Sequence, residues 1–453
     1  MNDINIDTGT LQILSASEAH TYRLVPYSVG DQMVSFYGDQ SDYSDVVTEL
    51  EVILGKNISI IPLEVTDFER LMAQSYRENK SGESVKTIQA GQGFLMALIA
   101  EAFSCGASDI HIEAYEEKYR IRLRIDGRLI ERYVMNALDY GPLVNQIKIM
   151  SGLDISEKRL PQDGRIFYNQ AAEKFDVRVS SLPAIHGEKI VMRLLTRRVE
   201  LLDIHNLGFD ERQLADYLEA VRNPHGLVLI TGPTGAGKST TLYATLRLLN
   251  EVSNNILTIE DPVEYTLEGV NQVQLKEEIG LTFGSALRTF LRQDPDIIML
   301  GEIRDGDTAQ MAIRSALTGH LVFSTLHTNS AWGAVSRLAD MDAHPYLIAG
   351  TLMLCVAQRL VRLLCPGCKH RSADGEYFEA AGCKSCYFTG YSGRKAIYEV
   401  VKIDNELRSM IRDCRNDVDE ILRRKGIKTL ADSARKLVCD GLTSLEEVLP
   451  VLK

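Results

Sequence analysis

The octapeptide GPTGAGKS, which begins at Gly232, combines residue types that suit phosphate binding. Glycines let backbone N–H groups turn inward at the start of a helix and form a concave site for anions. The lysine reaches the β- and γ-phosphates of a nucleotide, and the serine hydroxyl binds Mg²⁺. The predicted phosphate-binding residues are Gly232, Pro233, Thr234, Gly235, Ala236, Gly237, Lys238, Ser239 and Thr240, with Ser239 also as the Mg²⁺ ligand.

The sequence around this octapeptide supports that interpretation. The octapeptide fits the pattern G-x-x-x-x-G-K-[ST], follows the apolar run GLVLIT and precedes the helical run STTLYATLRLLN. A strand before the loop and a helix after it are the context that a nucleotide-binding P-loop requires. The alternative is a chance glycine-rich turn, which a strand and a helix in register disfavour.

Two acidic segments follow apolar runs downstream of the P-loop. Glu260, Asp261 and Glu264 come at or after the end of one run, and Glu302 comes just after another. A carboxylate just past the carboxyl end of a strand lies beside the phosphate crevice of a parallel sheet, where it holds the water shell of a metal or orients the attacking water. Each carboxylate taken singly also fits a solvated turn.

Two histidines flank the apolar run LVFSTL. His320 precedes this run and His327 follows it. A single histidine is more often a packed or capping side chain, whereas a histidine at a strand end near the γ-phosphate senses that phosphate or hydrogen-bonds between subunits. Both interpretations stay open at the level of the sequence.

Four cysteines form two CxxC pairs separated by 14 residues. Two residues between thiolates let one turn present both sulfurs to one ion, and four thiolates complete a tetrahedral site without an open catalytic position. The pattern predicts a structural zinc site; a dithiol redox pair is the alternative. The predicted zinc ligands are Cys365, Cys368, Cys383 and Cys386. The remaining cysteines are predicted to be small buried hydrophobes, namely Cys105, Cys355, Cys414 and Cys439.

The elements that must position these residues are those of a parallel α/β sheet. In the last part of the chain, apolar strand candidates alternate with helical segments, which is typical of such a sheet. The candidates are Leu227–Thr231, Ile256–Ile259, Ile297–Leu300 and Leu321–Leu326. The preceding part combines an amphipathic helix with alternating strands and a hairpin signature at Asp126-Gly127. A polar stretch, ENKSGESV, separates it from an N-terminal α+β unit.

The chain of 453 residues has 45% hydrophobic and 25% charged residues, which excludes a disordered or fibrous protein. Its formal net charge of −12 disfavours bulk nucleic-acid binding and attraction to an anionic lipid surface. The sequence contains no run of ~20 apolar residues and no secretory signal pattern. We therefore expect a cytoplasmic protein without direct membrane insertion.

Several further motifs accompany the P-loop in a fixed order. They are SDIHIE at 108–113, RLRIDGRL at 122–129, RLPQDGR at 159–165, acidic boxes at 260–264 and 296–302, and a histidine box at 319–327. With these motifs the chain, from residue 85 onward, resembles the secretion ATPase family that drives type II secretion and type IV pilus assembly.

The resemblance implies a fold and a division into domains. A RecA-like P-loop NTPase domain, 206–453, includes a four-cysteine zinc element at 360–395 and C-terminal helices. A PAS-like α+β domain, 85–205, precedes it, and a small α+β docking domain comprises 1–77. The N-terminal match rests on pattern and position, and its alternative is a spacer without a dedicated partner.

The resemblance also implies roles for individual residues. Glu264 corresponds to the carboxylate that activates water, and Glu302 to the one that holds the Mg²⁺ shell. His320 and His327 correspond to the histidine pair near the γ-phosphate. The predicted catalytic set therefore includes Glu264, Glu302, His320, His327 and Lys238.

Arginines complete that set. In the family, the PAS-like domain donates arginines to the nucleotide bound in the RecA-like domain. A guanidinium held by a moving domain absorbs the charge that develops on the γ-phosphate. The predicted arginines are Arg159, Arg165 and Arg178.

The function that the resemblance predicts is an ATPase that converts ATP and water to ADP and phosphate, with Mg²⁺ and Zn²⁺ as metals. Family members are homo-hexamers in which a change of angle between two core domains acts on an inner-membrane platform protein. The N-terminal domain is expected to dock on the cytoplasmic part of a membrane assembly protein, which recruits the enzyme to the inner membrane. Whether the filament is a type IV pilus or a type II secretion pseudopilus stays open, because the chemistry is common to both.

Two other classes of protein share the nucleotide chemistry. A DNA-moving or DNA-uptake ATPase is disfavoured by the pI near 5.4, the single tryptophan and the lack of a lysine–aromatic tract, so no nucleic-acid partner is expected. A nucleotide-binding scaffold without turnover is disfavoured because Glu264 and Glu302 are both present.

Overall fold

The computed structural model describes residues 10, 13–14, 16–30, 32–40, 42–75, 93–116, 118–170, 173–195, 203–372, 375–415 and 417–452. These residues form two compact units. The first contains the described residues of Met1–Gly164, Val179–Met192 and Ala381–Gly390; the second contains those of Arg165–Arg178, Arg193–Ala380 and Tyr391–Lys453. Among the described residues, no helix has the length and apolar character needed to cross a membrane.

The first unit begins with a small three-stranded sheet. Its strands, in spatial order, are β1 (Leu24–Val29), β2 (Met33–Gly38) and β3 (Asn57–Pro62). The first two strands are antiparallel and the last two are parallel. The accompanying helices are α1 (Ala16–Tyr22), α2 (Ser44–Leu54) and α3 (Val65–Ser75). Buried side chains of Leu24, Phe36 and Phe68 form its core, so the strands and helices share one apolar layer.

A second, six-stranded sheet has the strand order β6-β5-β4-β9-β8-β7. Its strands are β4 (Ala107–Ala114), β5 (Tyr119–Ile125), β6 (Arg128–Met135), β7 (Gln162–Gln170), β8 (Glu173–Ala184) and β9 (Gly187–Leu195), and the nearby helices are α4 (Phe94–Ser104) and α5 (Ala137–Ser151). The predicted hairpin is confirmed: β5 and β6 pair antiparallel, and the turn residues Asp126 and Gly127 have φ angles of 48° and 84°.

The second unit is built around a seven-stranded sheet with the order β12-β11-β13-β14-β10-β15-β18. Its strands are β10 (Gly226–Thr231), β11 (Ile256–Glu260), β12 (Asn271–Gln274), β13 (Ile297–Leu300), β14 (Leu321–Leu326), β15 (Leu352–Leu364) and β18 (Tyr391–Lys402). Only β18 is antiparallel to its neighbour within this sheet. The four strands predicted from the apolar runs are confirmed as β10, β11, β13 and β14.

Helices cover both faces of this sheet. Because successive residues of a strand point to opposite faces, a buried strand contributes side chains to both cores. In β10, Leu227 and Leu229 enter one apolar core, and Val228 and Ile230 enter another. The second of these cores includes side chains of α6 (Glu211–Val221) and α7 (Lys238–Leu249). The first includes side chains of α8 (Phe283–Phe290), α9 (Gly306–Leu317), α10 (Gly333–Asp340) and α11 (Pro345–Thr351).

The described residues of the C-terminal region add two short strands and four helices. The strands are β16 (His370–Arg371) and β17 (Phe378–Glu379), and the helices are α12 (Asn405–Arg412), α13 (Asp419–Arg424), α14 (Leu430–Cys439) and α15 (Leu445–Leu452). The C-terminal helices that the resemblance implies are thus present in the structure. Apolar side chains such as Leu407 and Val448 join the first core of the seven-stranded sheet, so these helices are integral to it.

Candidate functional site

The P-loop lies at the carboxyl end of β10. Thr231 is the last residue of this strand, Gly237 caps helix α7, and Lys238 is the first residue of that helix. All six residues of β10 are buried, so the apolar cores on both faces fix the position of the loop. The start of α7 presents its first backbone N–H groups toward the loop. The structure confirms the strand, loop and helix that the sequence predicts here.

Two glycines of this loop are required by their surroundings. Gly232 has a φ of 151°, and a Cβ atom there would lie 2.4 Å from the carbonyl oxygen of Gln358. Gly237 has a φ of 86°, and its Cβ would lie 2.9 Å from Nε2 of the same residue. Gln358 is buried, and its Oε1 accepts a hydrogen bond from the Thr241 hydroxyl at 2.9 Å. The loop therefore follows a path that side chains at these two positions would block.

Lys238 lies folded over the loop. Its ammonium donates hydrogen bonds to the carbonyl oxygens of Gly232 at 2.7 Å and Pro233 at 3.1 Å. Burial, followed by the nearby Arg359 guanidinium, lowers the pKa of Lys238 to about 8. An anionic phosphate would favour the charged form and reverse this effect. Ser239, the next residue, has an exposed side chain.

The two acidic segments meet at the same edge of the sheet. Strands β11 and β13 are parallel neighbours, and the Gly301 N–H donates to the Ile259 carbonyl oxygen at 2.8 Å just past their ends. Glu302 follows directly. The Arg304 guanidinium pairs with the Glu302 carboxylate and lies 3.3 Å from an oxygen of Asp261. The structure thus brings the two predicted boxes together.

His327 follows β14, the strand between β13 and β10. Its Nε2 lies 3.3 Å from Oε2 of Glu302. Burial lowers the pKa of His327, and the positive charges of Lys238 and Arg304 lower it further. Lys238, His327 and Arg304 follow the carboxyl ends of β10, β14 and β13, which are parallel neighbours. Lys238, Glu302 and His327 therefore converge at the carboxyl edge of the sheet, as the sequence predicts.

His320 lies at the other end of β14. Leu321, the first residue of β14, pairs with Gly226, whereas Leu326 pairs with Thr231 beside the P-loop. His320 Nδ1 lies 2.9 Å from the Ser315 carbonyl oxygen, at the end of α9. The length of a six-residue strand therefore separates His320 from the end of β14 that lies beside the P-loop. The structure does not bring the two predicted histidines together.

Glu264 is positioned by its backbone. It lies four residues past the end of β11 and is half-buried. Its N–H donates a hydrogen bond to the Tyr243 hydroxyl at 3.2 Å. Tyr243 belongs to α7, the helix that begins at Lys238. The segment that carries Glu264 is therefore attached to the phosphate-binding helix.

The three predicted arginines occupy different environments. Arg178 donates a hydrogen bond to the carbonyl oxygen of Val263, the residue before Glu264. Arg165 is exposed and pairs with Asp176. Arg159 is 88% exposed, and its partner is Glu157 at 3.2 Å. Of the three, the structure connects only Arg178 directly with the acidic segment after β11.

Two residues of β15 belong to the site although no motif in the sequence predicts a role for them. Because β15 pairs with β10 and Ala357 lies opposite Thr231, Gln358 and Arg359 lie beside the P-loop. Arg359 donates a hydrogen bond to Oδ1 of Asn329 at 3.0 Å. The only sequence signal was a glutamine–arginine pair that interrupts an apolar run.

The four predicted metal-binding cysteines are brought together. The sulfur atoms of Cys365, Cys368, Cys383 and Cys386 all lie within 4.8 Å of one another. Four thiols so placed form a ligand set that can hold a metal ion, since soft sulfur ligands in a compact group suit a tetrahedral site.

The other cysteines only partly match their prediction. Cys355 is buried and Cys105 is partly buried, but Cys414 and Cys439 are exposed. The prediction of burial is wrong for these two. The reason is local: Cys439 is the last residue of α14, and Cys414 lies just beyond α12 with a φ of 53°.

A P-loop at the carboxyl edge of a buried, mostly parallel sheet, with carboxylates at the ends of neighbouring strands, defines a P-loop ATPase of mixed α/β fold. Comparison with known proteins specifies the family. The family described as "Type II/IV secretion system protein" matches residues 87–450. The chain belongs to this family.

Individual relatives agree with that assignment. The chain is 44% identical over 425 residues to the type II secretion system protein HxcR of Pseudomonas aeruginosa, covering 93% of this chain and 87% of that protein. It is 38% identical to the type II secretion system ATPase E of Vibrio cholerae, covering 98% and 99%. It is also 38% identical to the type IV pilus assembly ATPase PilB of Myxococcus xanthus, covering 99% and 88%.

Solved structures share the fold. The pilus retraction motor PilT with bound ADP matches with a TM-score of 0.57 and 27% identity over 79% of this chain and 96% of that chain. The Legionella pneumophila ATPase DotB matches with a TM-score of 0.62 and 22% identity over 82% and 97%, which supports the fold alone. The chain is accordingly an ATPase of the secretion and pilus family.

Proposed function

We propose that this chain hydrolyses ATP to drive assembly of a type IV pilus or of a type II secretion pseudopilus. The observation that carries this proposal is the position of Lys238, Glu302 and His327 at the carboxyl ends of the neighbouring parallel strands β10, β13 and β14. Relatives named for type II secretion and for pilus assembly match more than nine-tenths of the chain, so the proposal includes both kinds of filament.

The proposed roles follow from the chemistry of each side chain. Lys238 and the loop N–H groups bind the phosphates, and the exposed hydroxyl of Ser239 is a ligand for Mg²⁺. Glu302, a carboxylate oxygen donor of the kind that Mg²⁺ and its waters prefer, holds the metal's water shell. Bound Mg²⁺ would neutralise charge on the phosphates. Glu264 accepts the proton of the attacking water. His327, which is hydrogen-bonded to Glu302, contacts the γ-phosphate and so senses its presence.

The arginines are proposed to stabilise the γ-phosphate. Arg178 has the strongest support, because it already contacts the backbone beside Glu264. Arg165 and Arg159 are paired with Asp176 and Glu157, and both would exchange these partners for phosphate oxygens. Such an exchange needs a movement of the segment that carries them, which would couple hydrolysis to motion.

The proposed organisation has three domains and a homo-hexameric ring. Residues 1–77 would dock on the cytoplasmic part of a membrane assembly protein, and residues 85–205 would form the PAS-like domain. Residues 206–453 would form the RecA-like ATPase, which acts on an inner-membrane platform protein. The enzyme would be cytoplasmic and would reach the inner membrane through these partners rather than by inserting into it.

The four-cysteine cluster is proposed to hold structural zinc rather than to act as a redox pair. Four sulfur ligands fill a tetrahedral coordination shell and leave no open position for catalysis. Its proposed function is therefore to stabilise the element at 360–395.

The decisive experiment is ATP hydrolysis by the purified full-length protein. Lys238→Ala should abolish turnover, whereas Lys436→Ala, an exposed lysine on α14, should not change it. Unchanged turnover in Lys238→Ala would refute the assignment of the site. Adding DNA to the same assay separates the alternative: no stimulation is expected, and strong stimulation would favour a DNA-moving ATPase.

A further inference from the structure

Tyr243 occupies a buried position between the P-loop and the acidic segment after β11. It lies five residues after Lys238 on α7, and only 1% of its surface is exposed. Its ring is edge-on to that of Tyr265, with centroids 4.4 Å apart. Its hydroxyl also makes hydrogen bonds to the segment after Lys238's helix, at Glu260 and Glu264.

The hydroxyl of Tyr243 makes two hydrogen bonds of opposite sense. It donates to Oε2 of Glu260 and accepts from the N–H of Glu264 at 3.2 Å. A phenol has one proton to give, so donation to Glu260 leaves a lone pair to receive the Glu264 N–H. The Tyr243 hydroxyl can therefore make both hydrogen bonds at the same time.

Glu260 is itself held in place. It is buried, and its Oε1 accepts hydrogen bonds from the Thr258 hydroxyl at 2.6 Å and from Nε2 of Gln272 at 3.1 Å. Both donors are neutral and belong to neighbouring strands β11 and β12. The carboxylate is thus a rigid acceptor that fixes the direction of the Tyr243 O–H.

We propose that Tyr243 is a positioning residue for hydrolysis: its hydroxyl, oriented by Glu260, holds the backbone of Glu264 at a fixed place relative to the phosphate-binding helix. Since Lys238 and Tyr243 share α7, the helix then sets both the phosphate position and the carboxylate position. This inference rests on the role proposed above for Glu264.

The test compares two variants that each remove the phenol oxygen of one of two adjacent rings, the buried Tyr243 and the partly buried Tyr265. Tyr243→Phe removes the hydrogen bond to Glu264, and Tyr265→Phe is the matched control. Because a displacement of about 1 Å can cost a hundredfold in rate, Tyr243→Phe should lower kcat about 10–100-fold. The KM for ATP should change less than about threefold, because the phosphate-binding loop keeps its own contacts. Tyr265→Phe should leave kcat near that of the wild type.

A double-mutant comparison separates positioning from general destabilisation. Glu264→Gln should lower kcat strongly, and adding Tyr243→Phe to it should produce no further loss, because residues that act through one another are not additive. The proposed positioning role of Tyr243 is wrong if the losses of kcat in Tyr243→Phe and Glu264→Gln multiply in the double variant. It is also wrong if Tyr243→Phe and Tyr265→Phe have equal kcat. If Glu264→Gln hydrolyses ATP at the wild-type rate, the proposed function of Glu264 is wrong instead.

A second measurement does not depend on whether the variant folds. In the wild-type protein, the Glu264 amide should be protected from hydrogen exchange, because it donates to a buried acceptor. Exchange of this amide at the rate of an unprotected peptide would show that the hydrogen bond to Tyr243 does not persist, and would overturn the proposal.

Discussion

The hydroxyl of Thr231 accepts a hydrogen bond from the backbone N–H of Thr328 at 2.7 Å, and the two threonine hydroxyls are also 2.7 Å apart. Thr231 ends the strand before the P-loop, and Thr328 directly follows His327. This pair therefore joins the phosphate-binding loop to the loop that carries the histidine. Asn329, bound to Arg359, and Ala331, whose N–H donates to Glu399 at 2.7 Å, hold the same loop farther along.

Replacing Thr231 with valine should weaken both stability and catalysis. Valine keeps the shape but leaves the Thr328 N–H without its acceptor, which should lower the free energy of unfolding by about 1–3 kcal/mol. His327 should become less well positioned, so we expect a lower kcat in steady-state ATPase assays. Thr289→Val, at an exposed hydroxyl on α8, is the matched control and should change neither quantity appreciably. Wild-type kcat in Thr231→Val would show that this connection does not matter for turnover.

The P-loop glycines allow a sharper test of the site. Gly237→Ala places a Cβ 2.9 Å from Gln358 on a backbone with a φ of 86°. The strain of about 1–3 kcal/mol, together with this contact, should lower nucleotide affinity at least about tenfold. Titration with a fluorescent nucleotide analogue measures the change.

Two other glycines serve as controls for that substitution. Gly235 has a φ of 79° but open space around its Cβ position, so Gly235→Ala should cost backbone strain alone and weaken binding less. Gly350, in helix α11, also faces open space, so Gly350→Ala should leave binding unchanged. Equal affinities in Gly237→Ala and Gly350→Ala would contradict the geometry described for the loop.

The sequence was most informative where a local pattern determines both structure and chemistry. The P-loop is such a case, because its glycines, lysine and flanking apolar runs define a strand, a turn and a helix together. The strands β13 and β14 were predicted with their bounds, since a fully buried parallel strand appears as a continuous apolar run.

Features that depend on strand order could not be predicted in the same way. Gln358 and Arg359 reach the P-loop only because β15 is the neighbour of β10, a pairing that no local pattern encodes. His320 and His327 are close in sequence, but β14 lies between them, so one histidine lies at each end of this strand. Cys414 and Cys439 were expected to be buried because of their residue type, yet Cys439 ends α14 and Cys414 lies just beyond α12, and both are exposed.

The titration of Lys238 should make nucleotide binding depend on pH. Its pKa without phosphate is about 8, because burial and Arg359 disfavour the charge. A bound polyphosphate raises this pKa, so binding takes up a proton at pH values above about 8 and affinity should fall as the pH rises from 8 toward 9.5. The decrease in nucleotide affinity cannot exceed about tenfold per pH unit, because a single proton is taken up.

Calorimetry at pH 8.5 can check the same proton uptake independently. The measured binding enthalpy should vary with the ionisation enthalpy of the buffer, and the slope gives the number of protons taken up. At pH 6.5, where Lys238 is already charged, its contribution to the slope should vanish. An affinity that stays constant from pH 7 to about 9.5 would show that Lys238 does not lose its proton in this range.

The cysteine cluster gives a prediction that is independent of nucleotide. Cys386→Ala removes one of the four clustered sulfurs, and three thiols cannot close a tetrahedral structural site. The purified wild type should contain close to one zinc per chain by elemental analysis, and the variant should contain much less. Loss of the metal should cost about 2–5 kcal/mol of stability, which corresponds to a Tm lower by roughly 5–15 °C for a domain of this size.

Two cysteines outside the cluster provide the controls for that experiment. Cys414→Ala and Cys439→Ala change exposed thiols, so both variants should keep the zinc and the Tm of the wild type. If the cluster were a redox pair instead, zinc would be absent and the Tm would respond to reductant rather than to a chelator. Zinc-free wild-type protein with an unchanged Tm would therefore contradict the structural metal site, because nothing else on the four sulfurs would then stabilise the turns that carry them.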